Sequence, residues 1–305
     1  MKRKMQTSHF RKLNTPGPGQ YFLAAILGVL ALCCLLPVLL VVVASFSDER
    51  SITQNGFSLF PDAWSLEGWK YVIGYGKQLL ISYGITISRT VLQTAGSLIV
   101  MSMLAYTLAR RQFPLRGFLS MMLLITMLFS GGRLSAFLIN TTVYHLKNTY
   151  LVLVIPGVAA MNVIIIRTYI QTNVTDSLIE AAKIDGAGEF RIFSQVVVPL
   201  LPPVLASVGF MNAVNVWNDW ETGYLYIQSD NLLPLQNLLR RVEQNVQLLN
   251  NPDISVQAAL GISEALPAQS ARMALLMTVL GPIMIAYPFF QKYFIKGLTL
   301  GSVKG

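Results

Sequence analysis

Cysteine and histidine are almost missing from this sequence, whose 305 residues include two of each. Cys33 and Cys34 are neighbours inside an apolar run, and adjacent residues do not readily meet disulfide geometry, so they read as small membrane-buried thiols. Neither a disulfide scaffold nor a zinc site can be built from them. His9 and His145 both lack a serine or cysteine with an orienting acid nearby, which removes the nucleophile, base and acid arrangement of a hydrolase. No phosphate loop of the form Gly-x4-Gly-Lys-Ser/Thr occurs, so the chain hydrolyses no nucleotide itself and binds no cofactor of that kind. Charge is scarce too, at 12% of residues. That is far below the share of a soluble globular domain.

Apolar sequence takes the place of all this. Hydrophobic residues make up 53% of the chain, and the uncharged intervals give six candidate membrane spans: 21–46, 90–109, 117–132, 148–166, 192–218 and 273–291. About 20 apolar residues cross a bilayer core. The third interval is short, and its span is expected to continue past Arg133 to Ile139 with the arginine snorkelling at the interface. The predicted fold class is an all-α integral membrane protein of six transmembrane helices. The 26-residue first run ends at Ser47, Asp48 and Glu49 without a small-residue cleavage pattern, so it reads as an uncleaved span.

The basic residues orient the spans. With the N-terminus inside, 14 of the 23 lysines and arginines fall on the cytoplasmic side against four acids, and the outer side holds nine bases against ten acids. This is the asymmetry of the positive-inside rule, and it makes the net charge of +9 a topology signal. Bases gathered on one soluble face, as nucleic-acid binding requires, are not found. The expected organisation is a cytoplasmic basic tail over 1–20, a first span over 21–46, an extracytoplasmic loop over 47–85, a core of the remaining five spans over 86–292 and a cytoplasmic tail over 293–305. Within the core lie a cytoplasmic loop, 171–199, and an extracytoplasmic loop, 221–271. In the latter, Leu235, Leu238, Leu239, Val242 and Val246 form an apolar stripe opposite Arg240, Arg241 and Glu243, the pattern of an amphipathic helix.

The inner loop carries the densest signal. Ser177 followed by Glu180 is a capping box, predicted to start a helix through Ala181, Ala182, Lys183 and Ile184. Asp185 and Gly186 stop it, a second turn begins at Gly188 and Glu189, and Pro199 opens the fifth span. Pattern alone also fits an ordinary interfacial helix joining two spans.

Glu180, Ala181 and Ala182, then Gly186, nine residues, Val196, and Val198 with Pro199 resemble the EAA signature of the membrane subunits of binding-protein-dependent ABC importers, with valines where that family often carries Ile and Leu. The ending KYFIKGLTLGSVKG resembles the tail of the carbohydrate-uptake branch, which includes the maltose permeases. FSGG at 129–132, NTY at 148–150, IPG at 155–157 and WNDW at 217–220 are similar to its subgroup for complex oligosaccharides. The resemblance spans about residues 20 to 305 and implies a type I ABC importer permease in a bacterial cytoplasmic membrane. Its implied partners are a second homologous permease, two ABC ATPase subunits holding ATP and Mg, an extracytoplasmic sugar-binding protein, a carbohydrate and the lipid bilayer. It further implies that Glu180, Ala181, Ala182, Asp185, Gly186 and Ala187 contact the ATPase, and that Gly297, Thr299, Gly301, Lys304 and Gly305 reach between the ATPase subunits. A frayed terminus would be equally rich in glycine.

Polar groups inside the spans mark the expected substrate pathway. Asn212, Asn215 and Asp219 recur at helical spacing, with Asn218, Trp217 and Trp220 beside them, and Asn162 and Ser130 on neighbouring spans. Amides and carboxylates satisfy sugar hydroxyls, and indoles stack on sugar faces. The same asparagines also fit helix-to-helix bonding, and the tryptophans an interfacial belt. A gradient-driven secondary transporter would call for repeats and a central charge. The spans as drawn contain neither. A non-transporting membrane scaffold for an ATPase is the other alternative.

Overall fold

The computed structural model describes residues 18–249 and 268–300, and among these every regular element is helical. Two compact units are distinguished, 1–72 with 257–277 and 73–256 with 278–305.

In the first unit, helix α1 (Pro18–Ser45) is uncharged and 28 residues long, about 42 Å at 1.5 Å per residue. Its side chains from Tyr21 to Leu36 are exposed, which suits lipid and not water. Two short helices follow, α2 (Glu49–Asn55) and α3 (Glu67–Gly74). The Glu49 carboxylate accepts hydrogen bonds from the backbone N–H groups of Gln269 and Ser270 at 2.9 Å and from the Ser270 hydroxyl at 3.0 Å. It thereby satisfies donors left open at the start of the last long helix, where a negative charge is favoured.

The second unit is built around α4 (Gly76–Ala109), 34 residues. After it come α5 (Arg116–Leu128), α6 (Gly132–Leu138), α7 (Leu151–Val154) and α8 (Ala160–Asn173). Next are α9 (Asp176–Ile184), α10 (Glu189–Ile192) and α11 (Pro202–Asn218). The remainder is α12 (Glu221–Tyr226), α13 (Leu235–Leu249) and α14 (Ala268–Leu300), the last shared with the first unit. Met101, Ala105 and Leu108 of α4 meet Val163 and Ile166 of α8 and Val204 and Val208 of α11 in the main apolar core.

Among the described residues, three helices are long and apolar enough to cross a membrane, α1, α4 and the Gln269–Pro288 part of α14, and counting each of two bent pairs as one span brings the number to five. Several spans differ from their sequence-based outlines. The third is not one rod through Arg133: α5 and the helix that continues α6 to Val143 diverge by 115°, because Phe129 turns extended (φ −120, ψ 115). Arg133 instead pairs with Glu221 at 2.7 Å. The fourth is interrupted after α7, where Ile155 is extended (φ −55, ψ 125), the conformation imposed on a residue preceding proline, here Pro156. The fifth begins at Pro202 and not at Pro199, which sits in a 3-10 turn, and the segment before it is bent by 81°. The second span starts at Gly76, well before Thr90, so Arg89 lies inside it. The expectation of charge-free spans therefore fails at Arg89, which is 2% exposed.

Candidate functional site

Glu180, Ala181, Asp185 and Gly186 lie together on the exposed side of the 171–199 loop, while Ala182 and Ala187 are half-buried against the core. The helix starts two residues earlier than the capping box predicts. Thr175 takes the N-cap position, and the Ser177 hydroxyl, inside the first turn, donates to Thr175 Oγ1 at 3.1 Å. Gly186 ends the helix as expected, with φ +78, a left-handed conformation that side chains with a Cβ resist. Ile184 and Phe190 project beside it and are 86% and 74% exposed.

Four residues anchor the loop, and sequence reasoning singled out none of them for it. The Glu189 carboxylate accepts from the Tyr106 hydroxyl at 2.7 Å and pairs with Lys183 at 2.7 Å. Arg110, at the end of α4, lies 3.9 Å from Glu189 and 4.0 Å from Asp176. The Lys183 ammonium first, then the Tyr106 hydroxyl, hold the Glu189 carboxyl below its ordinary pKa, against the opposing effect of burial. One long helix thus ends in a clamp on two short ones, and Ile179 and Ile192 beneath it are buried. The clamp fixes the backbone of α9 and leaves its other face free.

The expected substrate residues divide. Asn218, Asp219 and Trp220 come together beside Arg89 in the first half of α4, whereas Ser130 and Asn162 lie elsewhere. Asp219 does not stand open: Arg89 forms an ion pair with it, donates to its backbone carbonyl at 3.0 Å and donates to Leu153 O at 3.2 Å. Its other carboxylate oxygen accepts from the Thr222 backbone N–H at 3.1 Å. Trp217 is buried and donates its indole N–H to Val279 O at 3.2 Å, so it packs α11 against α14. Asn212 is half-buried and donates to Thr94 at 3.4 Å, Asn162 is buried on α8, and Asn215 and Ser130 are exposed. Asn218 accepts from Gln236 at 3.3 Å. Gly297 and Thr299 belong to the end of α14. Gly301, Lys304 and Gly305 lie outside the described residues, as do the stretches 1–17 and 250–267.

A cavity of about 610 Å³ opens between α4, α11 and α14, with Ile87, Leu98, Phe210 and Ile283 among its lining. Among the described residues that line it, Thr90 and Thr94 alone carry hydroxyls and none is charged. That surface suits hydrocarbon better than a polyhydroxylated solute. A smaller cavity of about 360 Å³ forms between Trp220 and α13 and is rich in amides. The helix beneath it is amphipathic as predicted, with Leu235, Leu238 and Val242 buried. It packs on protein, since the Leu235 backbone N–H donates to Thr86 Oγ1 of α4 at 2.8 Å.

The two sites lie at different levels of α4. Thr86 and Arg89 serve one, Tyr106 and Arg110 the other, and the rise from Thr86 to Tyr106 is about 30 Å, close to the hydrocarbon thickness of a bilayer.

Residues 98–299 match the family model described as binding-protein-dependent transport system inner membrane component. The chain is 35% identical to the polygalacturonan/rhamnogalacturonan transport system permease protein YtcP of Bacillus subtilis strain 168, over 90% of this chain and 94% of that protein. It is 27% identical to the arabinooligosaccharides transport system permease protein AraQ of Halalkalibacterium halodurans, over 90% and 93%. A chain from the crystal structure of a bacterial ABC transporter involved in the import of the acidic polysaccharide alginate superimposes with a TM-score of 0.75 at 28% identity, covering 90% of this chain and 95% of that one.

Proposed function

Since the chain belongs to the family of binding-protein-dependent transport system inner membrane components, we propose that it forms half of the translocation pathway of an ATP-driven importer of oligosaccharides and receives force through its 171–199 loop. Its fold is that of a type I ABC importer permease, all helical, and its class is the carbohydrate-importing permease. The finer reading adds a second homologous permease, two ATPase subunits that bind ATP and Mg, and a sugar-loaded binding protein on the outer face. In it the chain crosses the membrane six times with both termini in the cytoplasm.

The observation that carries this reading is the clamp of Glu189 on Tyr106, Lys183 and Arg110. It joins an exposed short helix to the end of the longest helix of the unit, so a push on Glu180, Ala181, Asp185 or Gly186 is delivered to α4. ATP-driven closure of the ATPases would move the two coupling helices of the permease pair together and open the pathway outward, and hydrolysis would reset it. Such alternating access requires the nucleotide and the sugar to be energetically coupled through the permease.

The test uses the complete assembly in liposomes. Glu180→Lys places a like charge where the family resemblance expects a base of the ATPase, on a side chain the fold leaves exposed. The variant is expected to assemble normally and to lose sugar-stimulated ATP hydrolysis and uptake by about tenfold or more, a coupling loss of ordinary size. Full stimulation and uptake in that variant would end the assignment of force transfer to this loop.

A further inference from the structure

Arg240 and Arg241 are neighbours with different surroundings. Arg241 is paired with Asp230 at 2.6 Å. Arg240 is half-buried, its guanidinium lies 3.9 Å from the centre of the Trp220 ring and 5.3 Å from that of Tyr224, and among the described residues no carboxylate stands within salt-bridge distance of it. A guanidinium stacked on an indole is held in place by its face and keeps its in-plane N–H edges for a bidentate acceptor. Arg240 lines the cavity of about 360 Å³ together with Trp220, Gln236, Glu243, Gln244 and Gln247. The volume falls within the usual range of about 300–1,000 Å³ for ligand sites.

The support behind it is rigid. Asn237 donates to the Trp220 carbonyl at 2.8 Å, Trp220 meets Tyr224 edge to face at 5.9 Å, and Arg89 and Thr222 fix the preceding residue, Asp219. Three glutamine amides, each both donor and acceptor, suit hydroxyl groups, and a planar fork suits a carboxylate.

We propose that this pocket is a contact site for an oligosaccharide bearing a uronate unit, with Arg240 taking the carboxylate and the glutamines of α13 the neighbouring hydroxyls. The inference rests on the importer reading and narrows its substrate to the acidic class. The site lies about 30 Å along α4 from the force-receiving loop, at the end where sugar would enter.

The experiment places the full importer in phosphatidylcholine nanodiscs, which keeps anionic headgroups away. Binding of trigalacturonate and of its methyl ester is measured without the binding protein, and ATPase stimulation with it. Arg240→Gln should weaken trigalacturonate binding about tenfold or more, the loss of one charge-assisted contact, and leave ester binding unchanged; Arg240→Lys should recover part of it. Equal weakening for acid and ester would overturn the proposal by reducing Arg240 to a packing role on Trp220. It would also fall if the variant bound trigalacturonate normally but needed more binding protein for half-maximal ATPase, since the pocket would then dock protein. A wild-type complex stimulated only by neutral oligosaccharides, with no trigalacturonate binding, overturns this inference and spares the importer reading. A wild-type complex unresponsive to any loaded binding protein defeats the importer reading instead.

Discussion

At one end of α4, Tyr106 and Arg110 meet Glu189 and Lys183 in a half-exposed cluster of charges. About 30 Å back along the same helix, Arg89 is sealed at 2% exposure against Asp219, and Thr86 receives the backbone of α13. The first anchor is electrostatic and wet. Each of its pairs contributes less than about 1 kcal/mol, because water screens exposed partners. The second is desolvated, so its pair cannot be broken without stranding a charge. A loop proposed to take up and release force would benefit from the first kind, and a wall proposed to hold a ligand pocket in place would need the second.

Breaking the pocket end should have the largest effect. Arg89→Ala leaves the Asp219 carboxylate without its partner and is expected to cost about 3 kcal/mol, the lower end for removing one member of a buried pair, because Asp219 keeps some access to water. The measurement is thermal unfolding of the purified subunit complex in detergent. Arg89→Lys should recover only a fraction, since one ammonium cannot reach both the carboxylate and the two carbonyls that the guanidinium spans. A loss no greater than that from cutting a pair in the Glu189 cluster would erase the proposed difference between the ends.

A smaller effect is expected from the contact beneath the pocket. A Cβ on Gly223 would stand 2.1 Å from Asn237 Oδ1, so Gly223→Ala must either turn the Asn237 side chain off the Trp220 carbonyl or part α12 from α13, at a cost of about 1–3 kcal/mol. The pocket would lose its shape while the loop end stayed intact. Adding Asn237→Ala removes the obstacle and should return part of the stability, which a thermal shift on the double variant reads directly. No recovery would mean that Gly223 matters for a reason other than this approach.

The two ends also differ in how far they can be read from sequence. The loop is local: the EAA residues, the stop at Gly186 and the following turn occupy one short stretch, and their order alone places them on one exposed surface. Even there the clamp was hidden, because Tyr106 and Glu189 are separated by 83 positions, and no periodicity links a tyrosine in one span to an acid in a loop. At the pocket end little was visible. Arg89 bounds an uncharged interval in the sequence, and Asp219, 130 positions on, stands in a polar stripe. Each makes sense only beside the other. The breaks at Ile155 and Phe129 were written in the proline and glycine residues, yet uncharged length outweighed them when the spans were drawn. Arg240 is legible as a polar-face base of an amphipathic helix, one turn from glutamines at helical spacing, but its stacking on Trp220 is not.

The smallest effect, and the one that separates the ends most cleanly, is the response to acid. Glu189 lies in the loop, outside the spans, and its carboxyl is held below the ordinary value of 4.5, first by Lys183 and then by Tyr106. A depressed folded-state pKa means that the clamp contributes fully above the unfolded value, and that this contribution is lost as pH falls through 4.5 toward the lower folded value. Near neutral pH the contribution is therefore flat. Below about pH 4.5 amide protection across 176–200, corrected for intrinsic exchange, should decline by an amount worth less than about 1 kcal/mol, because the carboxylate is half exposed. Glu189→Gln should already show the reduced protection at neutral pH and change little on acidification. Amides over 222–240 serve as the internal reference, since none of the Glu189 contacts reaches them. If acid loosened both stretches together and to the same extent in wild type, the clamp and the buried pair would belong to one cooperative unit, and α4 would be a single rigid strut held equally at both ends.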